Sequence, residues 1–209
     1  MCRLFGFRSV IQSQVHRSLM DADNALGTQS NDHRDGWGVA FYVDGTPHIT
    51  RSPTTAIDCA LFRRVSGIVA SETVLAHVRR ATNGELSVLN CHPFQYGKWV
   101  MAHNGDIQDF TKHRPELDFT KHRPELVERI APMLRRYILG DTDSEVLFFL
   151  FLTHLSQHGP LSGRIGVEET SMALQSTLEH LRAICDVDSE KEDSLLTMIV
   201  TDGTTMVAA

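Results

Sequence analysis

The sequence predicts an α+β fold, with strands gathered toward the two ends of the chain and helices in its middle. Three observations carry that expectation. Trp37–Val43 and His48–Arg51 are strand-like runs joined through Asp44-Gly45, a dipeptide suited to the positive φ angles of a tight hairpin. Thr142-Asp143-Ser144-Glu145 reads as a capping box in front of a strongly apolar helix, Val146–Gln157. Leu195–Thr201 and Thr204–Val207 then return to strand character around Asp202-Gly203. Blocks of strands separated from a block of helices fit a layered arrangement rather than alternating βα units. A chain of 209 residues can bury one substantial core, so residues 2–209 are expected to form a single domain.

Taken in order, Arg3–Ser9 is a short apolar-rich strand that carries Cys2 to its N-terminal edge. Ser18–Gly27 has helical spacing at Leu19, Ala22, Ala25 and Leu26 and ends on a glycine suited to a C-cap. Ala56–Val65 reads as a short helix and Glu72–Val78 as a buried strand, followed by a polar loop at Asn83-Gly84. Lys98–His103 is a strand expected to stop at Asn104-Gly105, which tolerates positive φ. Residues 109–126 are a tandem duplication, DFTKHRPEL twice. Nine residues leave the two copies about half a turn apart on one helix, so both cannot bury the same side chains. One copy is expected to belong to the fold and the other to be an inserted surface loop. Glu125–Tyr137 is helical in character, with Pro132 opening its second half, and Glu168–Cys185 is a helix with an apolar stripe at Leu174, Leu178, Leu181 and Cys185. The chain ends at Ala209 in what reads as mid-sheet, so a sandwich cut short at its C-terminus is an expectation.

Composition excludes several classes. A formal net charge of −6 argues against a general nucleic-acid binder, which needs a basic face. No apolar run reaches membrane-spanning length, and MCRLFGFRS is not a signal peptide, so neither nucleic acid nor a membrane is expected as a partner. Cys2, Cys59, Cys91 and Cys185 show no tight spacing and are expected to be reduced, in the cytoplasm. The eleven histidines lack a metal-ligand spacing such as H-x-x-x-H on a helix, so no metal and no cofactor are expected. Zinc at Cys91 and His92 is an outlying alternative.

The position of Cys2 makes it chemically unusual. An initiator methionine is normally trimmed before a small side chain, which would leave Cys2 with a free α-amine beside its thiol. An α-amino group has a reference pKa of about 7.7–8.0, so near neutrality it can act as a base next to its own nucleophile. The bland alternative is that Cys2 merely starts a strand. Arg79 read alone is a surface ion pair, Asp143 part of a helix start, Asn104-Gly105 an ordinary turn and Trp37 a core aromatic.

Their joint occurrence reverses those readings. Cys2 is followed by DGWG at 35–38, HVRRATNG at 77–84, CHPF at 91–94, AHNGDI at 102–107 and TDSE at 142–145. This order and spacing resembles the class II glutamine amidotransferase domain, a member of the N-terminal nucleophile hydrolases. Within the family it is most similar to stand-alone members without a synthetase domain, among them γ-glutamyl hydrolases. The resemblance implies a four-layer αββα sandwich of two antiparallel sheets flanked by helices. It further implies Cys2 as nucleophile with its α-amine as base, and an oxyanion hole from the Asn104 side chain and the Gly105 N–H. Arg79 would take the α-carboxylate of the glutamyl group, Asp143 the α-ammonium, and Thr82 and Asn83 would add contacts beside Arg79. His77, His92 and His103 are read as structural.

The implied activity is hydrolysis of the γ-amide of glutamine or of a γ-glutamyl compound through a glutamyl thioester. The alternatives are a glutaminase subunit passing ammonia to a separate synthetase, and a catalytically silent binding module. Arg80 departs from the family pattern, where several glutaminase domains carry an aromatic residue, and a pocket rim more polar or more cationic is the expectation.

Overall fold

In the computed structural model of the chain, residues 2–110, 122–187 and 193–209 are described. The strands form two antiparallel sheets. The first takes β1 (Arg3–Gln14), β2 (Trp37–Val43), β3 (Thr46–Ser52) and β4 (Ala70–Val78) in the order β1-β4-β2-β3. The second takes β5 (Phe94–Tyr96), β6 (Trp99–Asp106), β7 (Leu195–Thr201) and β8 (Met206–Ala208) in sequence order.

Period-two alternation decides which side chains meet across these sheets. Ala40, Tyr42 and Leu75 of the first sheet pack with Val100 and Ala102 of the second, joined by Leu4, Ile49 and Ile199. The opposite face of the first sheet, with Trp37, Val39, Val74 and Ala76, packs against Leu26 of α1 (Leu26–Gln29) and Phe62 and Val65 of α2 (Ala60–Ile68). Trp99, Met101, Met198 and Val200 face the other way and meet the helices of the second half. The layers therefore run helix, sheet, sheet, helix, as expected.

The last layer is built on α5 (Asp143–Leu155) and α6 (Val167–Cys185), preceded by α3 (Arg123–Arg129) and α4 (Pro132–Arg135). Twelve of the thirteen residues of α5 are buried, so it is apolar all round, as a helix covered on every side must be. Pro132 opens α4, where its missing N–H costs nothing. The Asp44-Gly45 turn has positive φ at both residues, 50° and 74°, which matches the twist of the β2–β3 hairpin.

Several local expectations are corrected. The helix read over Ser18–Gly27 is instead a π-helical turn at Arg17–Asp21, an extended Ala22 and the separate α1. Leu19, Ala25 and Leu26 are buried all the same, because two short turns satisfy the same apolar spacing. Strand β6 does not stop at Asn104-Gly105. It runs on to Asp106, because β7 pairs with Asn104, Gly105 and Asp106 through Thr197, Leu196 and Leu195. The glycine is needed there for space and not for φ: a Cβ on Gly105 would run into the Leu195 carbonyl. The capping box is half formed. Thr142 Oγ1 accepts from Glu145 N, but the Glu145 carboxylate turns away to the N–H groups of Leu139 and Gly140.

The inserted-loop expectation falls on residues 111–121, outside the described residues. Of the repeat's described flanks, Phe110 and Leu126 are buried in the helix-side core.

Phe151 is fully buried on α5, edge-on to Trp99 with ring centroids 6.1 Å apart. Replacing it with alanine is expected to cost about 3–5 kcal/mol. Urea unfolding followed by circular dichroism reads this directly, and a loss under about 1 kcal/mol would show that α5 does not key the helix-side core.

Candidate active site

Leu4 faces the space between the two sheets, so alternation places Cys2 on that same inward face. On the second sheet Val100 and Ala102 face inward, and Asn104 continues their side. Cys2 pairs outward with the chain leaving β4. Arg3 lies opposite Val78, which sets the thiol against the next peptide along. The Cys2 S–H points at the Arg80 carbonyl and Arg80 N–H donates back to Sγ, both at 3.4 Å. Cys2 is only 8% exposed, and burial pushes its thiol up. The Arg80 hydrogen bond and the charges of the chain's terminal ammonium and Arg79 pull it back, while Asp143 adds to the rise.

Arg79 continues the β4 ladder past its end: its N–H donates to Gly36 O and its carbonyl accepts from Asp35 N. Its side chain is almost wholly buried, and the guanidinium gathers the following loop. Nη2 donates to the carbonyls of Asn83 (2.7 Å) and Gly84 (3.3 Å), and Nη1 to that of Glu85 (3.1 Å). Gly84 has φ 73°, which lets the loop fold back over the arginine. The Asp35 carboxylate fixes the start of the same loop by accepting from Ala81 N at 2.8 Å.

Asp143 sits at the first turn of α5. Oδ2 accepts from Ile107 N at 2.9 Å, and Oδ1 from Ser144 N at 2.6 Å and from the Ser144 hydroxyl at 3.0 Å. His103 is buried beside it, with Nε2 3.1 Å from the Leu195 carbonyl and Nδ1 2.9 Å from Ser144 Oγ. A carbonyl only accepts, so Nε2 carries the proton in the neutral ring.

One cleft brings Cys2, Arg79, Thr82, Asn83, Gly105 and Asp143 together, with Arg80, His92, His103, Thr142 and Ser144. Asn104 is the one residue singled out from sequence that does not line it. Its Oδ1 is buried without a hydrogen-bond partner among the described residues. The cleft itself is about 20 Å³, room for one water, and it abuts a polar cavity of about 220 Å³ that shares Thr82 and Asn83 and continues along residues 106–110. A larger cavity of about 960 Å³ lies elsewhere, between the β5–β6 turn, α4 and residues 156–162, and is lined by none of the motif residues.

Sequence reasoning gave no role to Asp106, Asp35 or Ser144. Asp106 receives the Asn83 amide at 3.2 Å and the Thr82 side chain, and burial and Asp143 raise its carboxyl against those hydrogen bonds. Its position beside Gly105 in AHNGDI was the available signal. Among the described residues no group of three His, Cys, Asp or Glu side chains is arranged for a metal ion. The Cys91 thiol, offered above with His92 for zinc, points at the carbonyls of Ser52 and Ser87. His154 and His158 do stand four apart, but α5 ends at Leu155, and His154 meets His180 of α6 instead, at 3.0 Å.

The family model of class-II glutamine amidotransferases matches residues 1–209. The chain belongs to the class II glutamine amidotransferases. A member of similar sequence is a probable glutamine amidotransferase (DUG3) of Saccharomyces cerevisiae, 30% identical over 235 aligned residues that take in all of this chain and 63% of that protein. The γ-glutamyl-hercynylcysteine sulfoxide hydrolase of Mycobacterium tuberculosis is 35% identical over 115 residues, half of this chain and 49% of its own length. The chain thus spans less than two thirds of either relative. Among solved structures, a class II glutamine aminotransferase domain protein of Silicibacter pomeroyi superposes with a TM-score of 0.63 at 24% identity, over all of this chain and 76% of that one. That likeness shows the shared amidotransferase fold.

Burial holds His77, His92 and His103 below the usual imidazole range, His77 down to about 3. Their folded forms are neutral, so below the unfolded value of 6.5 the unfolded chain takes up protons that the folded one refuses. Stability is therefore complete above about pH 6.5 and falls as the pH drops toward 3, each group contributing up to about 1.4 kcal/mol per pH unit. Urea midpoints between pH 7.5 and about 5 are expected to decline, and His77→Gln to flatten the slope; an identical slope in that variant would remove His77 from the cause.

Proposed function

We propose that the chain hydrolyses the γ-amide of a γ-glutamyl compound, glutamine included, with Cys2 as nucleophile. The observation that carries this reading is the cleft that holds the buried Cys2 thiol with Arg79, Gly105 and Asp143. A thiol pushed up by burial is no preformed thiolate, so attack needs a base at the moment of reaction. Once Met1 is removed, the Cys2 α-amine supplies it. The thiol proton passes to the amine as sulfur adds to the γ-carbonyl, and from there to the departing nitrogen as the C–N bond breaks. Water then adds to the thioester, glutamate leaves and the thiol regains its proton.

The tetrahedral oxyanion is met by the Gly105 N–H and the Asn104 side-chain NH2; losing one such donor typically costs about 100- to 1,000-fold in rate. The glutamyl head lies toward Thr82 and Asn83, its carboxylate on the remaining N–H groups of Arg79 and its ammonium against Asp143. The relatives' names, one a glutamine amidotransferase and one a γ-glutamyl hydrolase, support this class of substrate. Among the described residues no helix is long and apolar enough to cross a membrane.

Cys2→Ala is expected to abolish glutamate release while leaving the circular dichroism spectrum unchanged. Mass spectrometry of the purified protein, with and without a glutamine-like diazoketone, should show Met1 removed and one label on Cys2. Residual activity of the alanine variant within about tenfold of the parent would overturn the mechanism.

Asp143→Asn is expected to raise KM by about tenfold to a hundredfold with a smaller effect on kcat, since a charge-assisted contact to the ammonium is lost. The new NH2 must also face either Ile107 N–H or the Ser144 donors, so a stability loss of about 1–3 kcal/mol accompanies it. Kinetics taken well below the variant's melting point separate the two effects, and an unchanged KM there would confine Asp143 to a structural role.

A further inference from the structure

Two histidines meet where the last two helices pack together. His154 is buried in the last turn of α5 and His180 is exposed on α6. Nε2 of the first lies 3.0 Å from Nδ1 of the second. Two nitrogens that far apart, each about 2.0–2.1 Å from a shared ion, subtend about 95° at it, the cis angle of octahedral or tetragonal coordination. Their ring centroids then stand about 4.7 Å apart, against about 5.3 Å for rings meeting head-on in a hydrogen bond. The observed separation is 4.8 Å, with the ring planes tilted by 38°. Neither histidine lines the Cys2 cleft.

We propose that His154 and His180 form a two-imidazole site for a divalent transition-metal ion of the nickel or copper kind, which clamps α5 to α6. Both facing nitrogens must offer a lone pair, so with the ion bound the ring protons sit on His154 Nδ1 and His180 Nε2. The one proton between the rings moves to the far nitrogen of its own ring, and two neutral imidazoles hold the ion with no net change in protonation. Burial, and after it His180 and His158, hold His154 below the usual imidazole range, which keeps it a neutral ligand near neutrality. The ion lies against the last turn of α5, where the unpaired helix carbonyls favour positive charge. Exposure of His180 opens a path from solvent. Among the described residues no third His, Cys, Asp or Glu completes the set, so water takes the remaining positions. A pair of imidazoles without carboxylates suits nickel or copper and not magnesium or calcium.

The test titrates nickel chloride into the parent protein and into His180→Ala, and follows binding by calorimetry and thermal unfolding by circular dichroism. His180 is exposed, so the variant is expected to keep the fold; His180→Gln serves in its place if the alanine variant does not. The parent is expected to bind one nickel ion per chain more than the variant. An ion that binds only the folded chain, at about a hundredfold excess over Kd, should raise the parent's melting point by about 5–10 °C. That rise should be lost in the variant. Chelation by the Cys2 thiol and amine is common to both proteins and cancels in the difference. Equal stoichiometry with an equal rise in melting point overturns the site. A difference that emerges only above about 1 mM nickel is chance chelation by surface histidines and overturns it as well. Either result leaves the hydrolase reading untouched, since the titration does not involve the cleft.

Discussion

The hydrogen bond from Ile107 N–H to the Asp143 carboxylate ties the two halves of the candidate site together. Asp143 is buried and charged, and a charge in that position must be compensated or the helix end unravels. Two backbone donors, Ile107 N–H and Ser144 N–H, and the positive end of α5 do so at once, while the Ser144 hydroxyl has its one proton to share between Asp143 Oδ1 and His103 Nδ1. The first of these belongs to the chain just beyond β6. Fixing it fixes where Asn104 and Gly105 lie relative to the helix start. Ser144 extends the link through His103 to the Leu195 carbonyl on β7, so helix, strand and neighbouring strand are registered by one short polar chain. The same carboxylate is the one proposed to meet the substrate ammonium, so the fold and the binding site draw on one compensated charge.

The second constraint is steric and belongs to the sheets. Small residues stand where backbone must approach backbone: on the inward face of β2 a Cβ on Gly38 would strike the His92 carbonyl, and on the opposite face of β6 one on Gly105 would strike the Leu195 carbonyl of the neighbouring strand. Tyr42 closes the far end of the gap, reaching the carbonyls of Lys98 at 2.7 Å and Thr201 at 3.0 Å. Cys2 lies at the open end of the same inter-sheet space. The proposed nucleophile, one residue before an edge strand, is thereby buried against the chain leaving β4.

The sequence made the layers legible because apolar runs bounded by turn signals mark β2, β4 and β7, a capping box before an apolar run marks α5, and an apolar stripe at helical spacing marks α6. The hairpin at Asp44-Gly45 and the break at Pro132 were legible because each residue has one backbone preference. The pieces that were misread have competing solutions of similar local energy. Leu19, Ala25 and Leu26 are buried equally well by one helix or by two turns, and only the packing against α2 and β1 decides. Asn104-Gly105 carries a turn signal, yet cross-strand pairing with β7, some ninety residues on, overrides it. Most of the cleft followed from motifs, since Cys2, Arg79, Thr82, Asn83, Gly105 and Asp143 share it. Asp106 and Asp35 did not, because their partners, the Asn83 amide and Ala81 N–H, are set by tertiary folding of the 79–85 loop.

Arg79 shows why that loop and the proposed carboxylate site go together. A guanidinium has five N–H donors in a fixed plane, and three of the contacts made here are to the carbonyls of residues 83, 84 and 85. These contacts use Nη1 and Nη2, and the remaining N–H groups are the ones proposed to meet a ligand. A lysine ammonium at this position would have three donors in all, and satisfying the loop would exhaust them. The rigid fork also converts the loop's conformation into the orientation of the free N–H groups. The fold of residues 83–85 and the proposed placement of a substrate carboxylate would then be two consequences of one buried cation.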